Sequence, residues 1–438
     1  MTARNRIFFR KTIDRMRFLH YNRGMKTSSP RHPILESLIY LLRWTGIALV
    51  CGGIGGVLGA LFAKAIGLAA SAQQANRWLI FLLPLIGIVI VFLYRAAGEE
   101  KNRGTNMVLS AVTEKEKVSV PTGFLIFVST VLSHLGGASM GREGAALQLG
   151  GWLGARLGEL FRLDEKDRHT AVMCGMAALF AALFGTPVAA AIFCIEVASV
   201  GVFYYSALIP CIFSAFLGTG IATLLGVAPE VFALEGVPDL SPANVGLSVV
   251  LGLLCAFLAI GLVESFHGAE KLAKKYLKNA YVRAFVVGCL IVGLTLLLGT
   301  REYTGAGAGL IEKALAGETK AYHFVLKLAF TSLAIAGGFK GGEIVPTLSI
   351  GACFGALFGS LTGYPVSLGA ACGMIALFAG ATNCPIAALL IAMEMFRGVG
   401  LPYFAVTVAM SFILSGYYSL YGSQRFVYSK TKHEQRIQ

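Results

Sequence analysis

Cys174-Gly175-Met176-Ala177-Ala178-Leu179-Phe180-Ala181 recurs as Cys372-Gly373-Met374-Ile375-Ala376-Leu377-Phe378-Ala379. At the same offset of 198 residues Pro187 meets Pro385, Ala189-Ala190 meets Ala387-Ala388 and Glu196 meets Glu394, so that 11 of the 24 positions from Cys174 to Val197 are identical. Shared apolar composition alone does not produce that many matches. Upstream, at an offset of 201, Gly150, Gly154 and Gly158 correspond to Gly351, Gly355 and Gly359. The chain is therefore a duplication, and Gly341-Gly342-Glu343-Ile344-Val345-Pro346 is the counterpart of the stretch around Gly141-Arg142-Glu143-Gly144. In each half a short polar turn separates a Gly-rich helix from a partner broken at proline. An odd number of spans per half inverts one repeat relative to the other, whereas an even number leaves them parallel. The span count admits both, and inversion is the reading adopted.

The composition says where such a chain lives. Of 438 residues 56% are hydrophobic and only 14% charged, and the mean hydropathy is +0.71. That is more apolar surface than a soluble domain can hide, so the expected fold is all-α: a polytopic membrane protein with two inverted structural repeats and broken or oblique helices. Apolar runs begin at Pro33 to Ala70 and Trp78 to Tyr94, continue through Pro121 to Gly137 and Gly144 to Leu160, and extend through Phe203 to Leu225 and Val245 to Val263. Ala171 to Phe184 and Val188 to Val200 fall short of the roughly 20 residues of a full span and read as half-helices or oblique ones. The Lys-rich segment from Glu270 to Arg283 reads as a solvated cytoplasmic connection.

The boundaries that follow are a basic cytoplasmic arm over 1–32 and a single transmembrane domain over 33–430. Its first repeat covers about 33–226 and its second about 243–421, with a C-terminal pore segment at 422–430 and a cytoplasmic tail at 431–438. The net charge of +14 does not point to nucleic acid. Nine Lys/Arg against the single acid Asp14 lie in Met1 to Arg31, as expected of a cytoplasmic flank, and no recognition motif accompanies them. No apolar core in this arm reads as a signal peptide, and Met25 is an alternative start. The nine cysteines lack CxxC or Cys/His spacing. They read as buried small hydrophobes, with no metal and no cofactor expected.

Within that apolar chain Arg142 and Glu143 stand between glycines. An ionisable pair at membrane depth is costly, so a function is the default hypothesis for it. The helix that starts at Glu143 places free N–H groups and a positive dipole end there, the geometry that holds anions. Four stretches can bring such termini to one site: Gly104 to Asn106, Gly141 to Gly144, Gly341 to Pro346, and Gln424 to Ser429. Thr105 adds a hydroxyl donor, and Tyr428 a second from the opposite side. An ionised Glu143 competes with the anion and a protonated one leaves it, so protonation can act as a gate. An ordinary helix-start carboxylate, or a structural pair with Arg142, is the plainer alternative. Glu196 reads first as structural, because Glu394 repeats it, and Glu343 is ambiguous. A second function class is a membrane serine hydrolase. Gly137-Ala138-Ser139-Met140-Gly141 fits GxSxG and His134 is near, but the motif requires a strand-turn-helix context, and here it lies between apolar helices.

Gly141-Arg142-Glu143-Gly144 with Gln148-Leu149-Gly150-Gly151, the Gly341 to Pro346 loop with Gly351 and Gly355, and Val427-Tyr428-Ser429 together resemble the CLC family of chloride channels and proton-coupled anion exchangers. The likeness runs over about 33–430. It implies a homodimer with a separate pore in each subunit, inverted repeats, both termini in the cytoplasm, and a place in the bacterial cytoplasmic membrane. Chloride or a similar small anion, protons and membrane lipid are then the expected partners. Glu143 matches the external gating glutamate. Thr105 stands in place of the central serine, beside Asn106, in a Gly104-Thr105-Asn106-Met107 context that departs from the usual one. Tyr428 best matches the central tyrosine, with Tyr421 a second candidate. Gly141, Arg142, Gly144, Ile344 and Val345 match the filter positions. The place of the internal proton-transfer glutamate falls on Val197, which carries no proton. The Gly-Gly-Glu loop resembles a divergent bacterial branch that includes fluoride/proton antiporters. Those are expected to carry methionine where Thr105 stands, so its hydroxyl favours chloride, with Met107 as a nearby methionine.

Overall fold

A computed structural model describes residues 33–114, 116–234 and 236–432. The basic arm 1–32 and residues 433–438 of the tail lie outside the described residues. The chain forms two compact units, residues 1–46 and 47–438. In the first, the described residues are the start of a helix, with the rings of Tyr40 and Trp44 6.3 Å apart.

Sixteen α-helices are described. Those of the first repeat are α1 (Pro33–Ala75), α2 (Leu83–Ala96), α3 (Thr105–Thr113), α4 (Thr122–Leu135), α5 (Glu143–Leu160), α6 (Glu165–Phe184), α7 (Pro187–Glu196) and α8 (Leu208–Leu224). The second repeat holds α9 (Pro242–Tyr276), α10 (Ala280–Leu298), α11 (Ala308–Leu315), α12 (His323–Gly337), α13 (Ile344–Thr362), α14 (Val366–Thr382), α15 (Pro385–Met395) and α16 (Leu401–Leu414). Two short strands, β1 (Ser199–Val200) and β2 (Arg425–Phe426), pair in parallel. Six helical stretches among the described residues are long and apolar enough to cross a membrane, while α4, α7, α12, α14, α15 and α16 are shorter apolar helices. Of the two half-length segments expected, Val188 to Val200 matches the short α7, whereas Ala171 to Phe184 belongs to the 20-residue α6, extended at its start by the polar Glu165 to Thr170; α4, read as a full span, has 14 residues. Pro187 and Pro385 open α7 and α15 at the first helical position, where a missing N–H does no harm.

The duplication is visible as matched contacts. An ideal Cβ on Gly154 would lie 2.1 Å from the Ala171 carbonyl oxygen, and one on its counterpart Gly355 1.9 Å from that of Gly369. Glycine therefore lets α5 cross α6, and α13 cross α14, at backbone contact. More telling are contacts exchanged between the halves. The carboxylate of Glu394 accepts from Val188 N–H at 3.0 Å and Ala189 N–H at 2.9 Å. That of Glu196 accepts from Ile386 N–H at 3.2 Å and Ala387 N–H at 2.8 Å. Each helix thus ends in the carboxylate that satisfies the open N–H groups at the start of the other, which requires α7 and α15 to run antiparallel. The repeats are inverted, and Glu196 has the structural role that its partner Glu394 indicated.

Two readings of the sequence change. The Lys-rich stretch is helical as far as Tyr276, because α9 runs unbroken for 35 residues. Lysine is a good helix former, and Lys274 pairs with Glu270 one turn earlier at 2.5 Å. The C-terminal pore segment contributes no helix terminus. Its Arg425 and Val427 N–H groups donate to Ala198 and Val200 carbonyls, holding it extended. Of the nine cysteines, eight are buried and Cys289 is exposed.

Candidate functional site

The starts of α5 and α13 meet head to head. Gly141 N–H donates to Gly342 O at 2.6 Å and Gly342 N–H to Gly141 O at 2.8 Å, a second exchanged pair of repeat equivalents. On one side of this junction lies a cavity of about 520 Å³ lined by Thr105, Asn106, Gln148, Lys340, Glu343 and Tyr421, among others. A separate cavity of about 410 Å³ is lined by His134, Arg142, Glu143, Glu230, Arg301 and Val345, among others. Two water-accessible mouths therefore approach one crossing of helix N-termini from different lining sets.

Glu143 is fully buried at that crossing. Its Oε2 accepts from Arg142 N–H at 2.9 Å, which is the kind of donor that an anion at a helix start would use. Among the described residues its Oε1 has no hydrogen-bond partner, and the cation paired with it is Arg142, with Nε at 3.6 Å. An ideal Cβ on Gly141 would stand 2.6 Å from Glu143 Oε2, so only glycine at 141 leaves room for the carboxylate to fold back over the backbone. A buried carboxylate with one oxygen unsatisfied is destabilised while charged. Taking up a proton, or swinging into either cavity, relieves that.

The other expected site residues divide. Thr105 opens α3 with its hydroxyl donating to Gly144 O at 3.3 Å and accepting from Gln148 Nε2 at 3.3 Å. Asn106 Oδ1 accepts from Ser423 N–H at 2.9 Å, tying the first loop to the C-terminal segment. Gly144 sits where the parts converge: an ideal Cβ there would meet Gly342 Cα at 2.9 Å, Thr105 Oγ1 at 3.4 Å and Glu343 Oε2 at 3.5 Å. Ile344 is buried beside it and Val345 faces the second cavity. The first turns of α5 and α13 leave Glu143, Gly144, Ile344 and Val345 N–H groups without intrahelical acceptors.

Three expectations need correction. Gly141 N–H is not open to an anion, since it is bonded to Gly342 O. The Arg142 guanidinium does not face a bound ion but pairs with Glu230 and donates to Leu183 O at 3.3 Å. Tyr428 is 43% exposed and packs on Gly201, whereas Tyr421 is 2% exposed, lines the Thr105 cavity and has a hydroxyl without a hydrogen-bond partner. Of the two tyrosines, Tyr421 is the one that lines the Thr105 cavity. Its replacement by phenylalanine is expected to change halide selectivity measured from reversal potentials, while Tyr428→Phe leaves it unaltered; the reverse ranking would return the contact to Tyr428.

Two groups escaped the sequence reading. Lys327 is fully buried in α12, its Nζ donating to Ser139 Oγ at 2.9 Å, Gly305 O at 2.7 Å and Tyr303 O at 3.3 Å. A lysine inside an apolar helix is a signal that could have marked it. Glu230 lies in the connection between repeats, where no periodicity points to it. The hydrolase reading finds no support: among the described residues no strand precedes Ser139, and His134 bonds Thr130 O through Nδ1 and not the serine, whose hydroxyl is bonded to Lys327 and Thr331.

The sequence profile described as voltage gated chloride channel matches residues 86–416. A chloride/fluoride channel protein of Pseudomonas syringae pv. tomato is 31% identical over 415 residues, covering 93% of this chain and 92% of the relative. The H(+)/Cl(-) exchange transporter ClcA of Klebsiella pneumoniae subsp. pneumoniae is 28% identical over 391 residues, covering 80% of each. Among solved structures, the crystal structure of a CLC-type fluoride/proton antiporter superposes with a TM-score of 0.85 at 32% identity, covering 88% of this chain and 98% of the other. With the repeats, the helix-terminus junction and this match across most of its length, the chain belongs to the CLC family of voltage gated chloride channels.

Proposed function

We propose that the protein exchanges a small halide for protons across the bacterial cytoplasmic membrane, with Glu143 as both gate and proton carrier. The observation that carries this reading is the Glu143 carboxylate itself, seated on a helix-start N–H group at the junction with one oxygen unsatisfied. In that position it excludes an anion while ionised, and protonation lets it go. The halide is then held by the open N–H groups of Gly144, Ile344 and Val345, without a metal and without a full cation.

The Thr105 cavity opens to the cytoplasm in this reading, because Lys101, Arg103, Lys274 and Lys340 are among its lining residues. Both termini then lie on that side. Val197 is buried and cannot carry a proton, so Glu343, which lines the Thr105 cavity together with Glu100 and Glu270 and is the one of the three at the start of α13, is the inner acceptor that replaces the usual glutamate. The assembly proposed is a homodimer with one pore per subunit, as the family resemblance implies.

One observation favours fluoride as the transported ion over chloride. The Thr105 hydroxyl, the feature that pointed to chloride, is engaged by Gly144 O and Gln148 and offers no donor to a halide. The chloride/fluoride channel protein and the fluoride/proton antiporter are relatives at 31% and 32% identity. Purified protein in liposomes, with chloride, fluoride and protons read together at a set voltage, tests both statements. Proton movement against its gradient driven by fluoride supports them. Passive anion flux alone overturns exchange, and equal chloride and fluoride rates overturn the selectivity.

A further inference from the structure

We propose that Glu230 is a gate-positioning residue: it holds the Arg142 guanidinium at the end of α6 and so keeps that cation from locking the Glu143 carboxylate in the closed place. The inference rests on the reading of Glu143 as the gate and adds to it a second carboxylate, from the connection between repeats.

The Arg142 guanidinium stands between two carboxylates and is hydrogen-bonded to one of them. Its Nη2 pairs with Glu230 Oε1 and donates to Leu183 O at 3.3 Å, while its Nε stays 3.6 Å from Glu143 Oε1, beyond hydrogen-bond reach. The pair is sheltered, with side-chain exposures of 22% and 28%, so salt and water screen it less than a surface pair. Nor is Glu230 on a loose loop. Its N–H donates to Phe184 O at 2.9 Å, and two residues on Phe232 N–H donates to Met395 O at 2.9 Å. The preceding Pro229 sits against Gly185, whose φ of +71° and lack of a side chain allow it; an ideal Cβ there would lie 2.3 Å from Pro229 Cβ. The connection is thus pinned to the ends of α6 and α15, one in each repeat, and it delivers Glu230 to the gate from a fixed base.

Other ionisable groups lie around this crossing: His134 from α4, Arg301 and Glu302 from the loop before α11 and Lys313 on α11 line the Glu143 cavity, Glu343 ahead of α13 lines the Thr105 cavity, and Lys327 on α12 is bonded to Ser139. Among the described residues none of them makes an ion pair or hydrogen bond with Arg142; Lys313 pairs with Glu302, and Arg301 donates to Gln73 O and Gln74 O. Glu230 and Glu143 are the carboxylates in contact with Arg142. If Glu230 loses its charge, Arg142 retains one anionic partner, Glu143, and the ionised, closed gate is favoured. Protonating it then takes a more acidic solution.

The test is proton-coupled halide exchange against pH, using the full chain in liposomes. Glu230→Gln is expected to move the activity profile about one pH unit towards acid, which at neutral pH is a roughly tenfold loss of rate. Glu302→Gln, which removes a carboxylate from the same cavity without touching Arg142, is expected to leave the profile in place. In a Glu143→Gln background, Glu230→Gln is expected to make no further difference to anion flux. If Glu230→Gln gives no folded protein, Glu230→Asp, which keeps the charge but shortens its reach, is expected to shift the profile in the same direction. An unmoved profile in the folded variant overturns the proposal, as does an equal shift in Glu302→Gln or an effect that persists without Glu143. Coupling that survives Glu143→Gln instead overturns the gate reading and this inference with it, so the two failures are told apart.

Discussion

Replacing Glu143 by glutamine is expected to abolish proton coupling and pH dependence together while anion flux continues. Glutamine has nearly the shape of the protonated glutamate but cannot exchange a proton, so it mimics the open gate permanently. The carboxylate accepts from the Arg142 N–H at 2.9 Å, and in the proposed function its charge keeps a halide from the start of α5. In the wild-type protein, anion access should fall as pH rises and Glu143 ionises; in the variant it should be flat. A positioned acid–base group typically contributes about 10²–10⁴ to the rate of the step it serves, so proton transport should drop by at least about a hundredfold. Simultaneous halide and pH recordings from liposomes read both quantities. Retained proton-coupled exchange in this variant would sink the assignment of Glu143.

The largest structural effect is expected at Gly355. Even alanine there places its Cβ 1.9 Å from the Gly369 carbonyl oxygen, and the obstacle is backbone, which cannot rotate away. The helices α13 and α14 must part, and Gly351 one turn earlier is also tight, an ideal Cβ there lying 2.5 Å from Gly373 O. Overpacking of a well-filled core costs about 1–3 kcal/mol and occasionally more. A clash between two helix backbones belongs at the upper end, so Gly355→Ala should yield little monodisperse protein on size-exclusion chromatography in detergent. Gly293→Ala in α10, with nothing within 4 Å of its Cβ position, is the control expected to behave as wild type. Normal yield and thermal stability for Gly355→Ala would show that the crossing is looser than described.

Much of this was legible because duplication prints itself twice. The Gly-rich helices, the prolines that open α7 and α15, and the Glu196/Glu394 match all appear in register in the sequence. What a register cannot say is which partner each copy touches, so the exchange of carboxylates between halves was invisible until the helices were in place. That Glu143 and Thr105 open helices beside glycines was legible, because an ionisable group and a hydroxyl in that setting carry a local physical signal. Tyr421 and Tyr428 differ by how a short extended tail is pinned to β1, a non-local matter that no periodicity encodes. Glu230 was missed for a similar reason, since its meaning depends on Arg142, 88 residues earlier. The Lys-rich end of α9 was misread because charge marks solvent exposure and says nothing against a helix.

The exchanged carboxylates of Glu196 and Glu394 have a consequence for how such a chain is made. While the ribosome has completed only the first repeat, the Val188 and Ala189 N–H groups lack the acceptor that Glu394 later supplies, and no lipid tail can stand in for it. The first half therefore stays incompletely satisfied in the membrane until Glu394, 205 residues beyond Ala189, has been synthesised. The same swap is what two identical half-length chains would make about a two-fold axis, each lending its terminal glutamate to the other. A single chain thus retains the contact pattern of a symmetric pair of separate chains, and Glu143, whose counterpart in register is Ile344, marks where the two copies ceased to be equivalent.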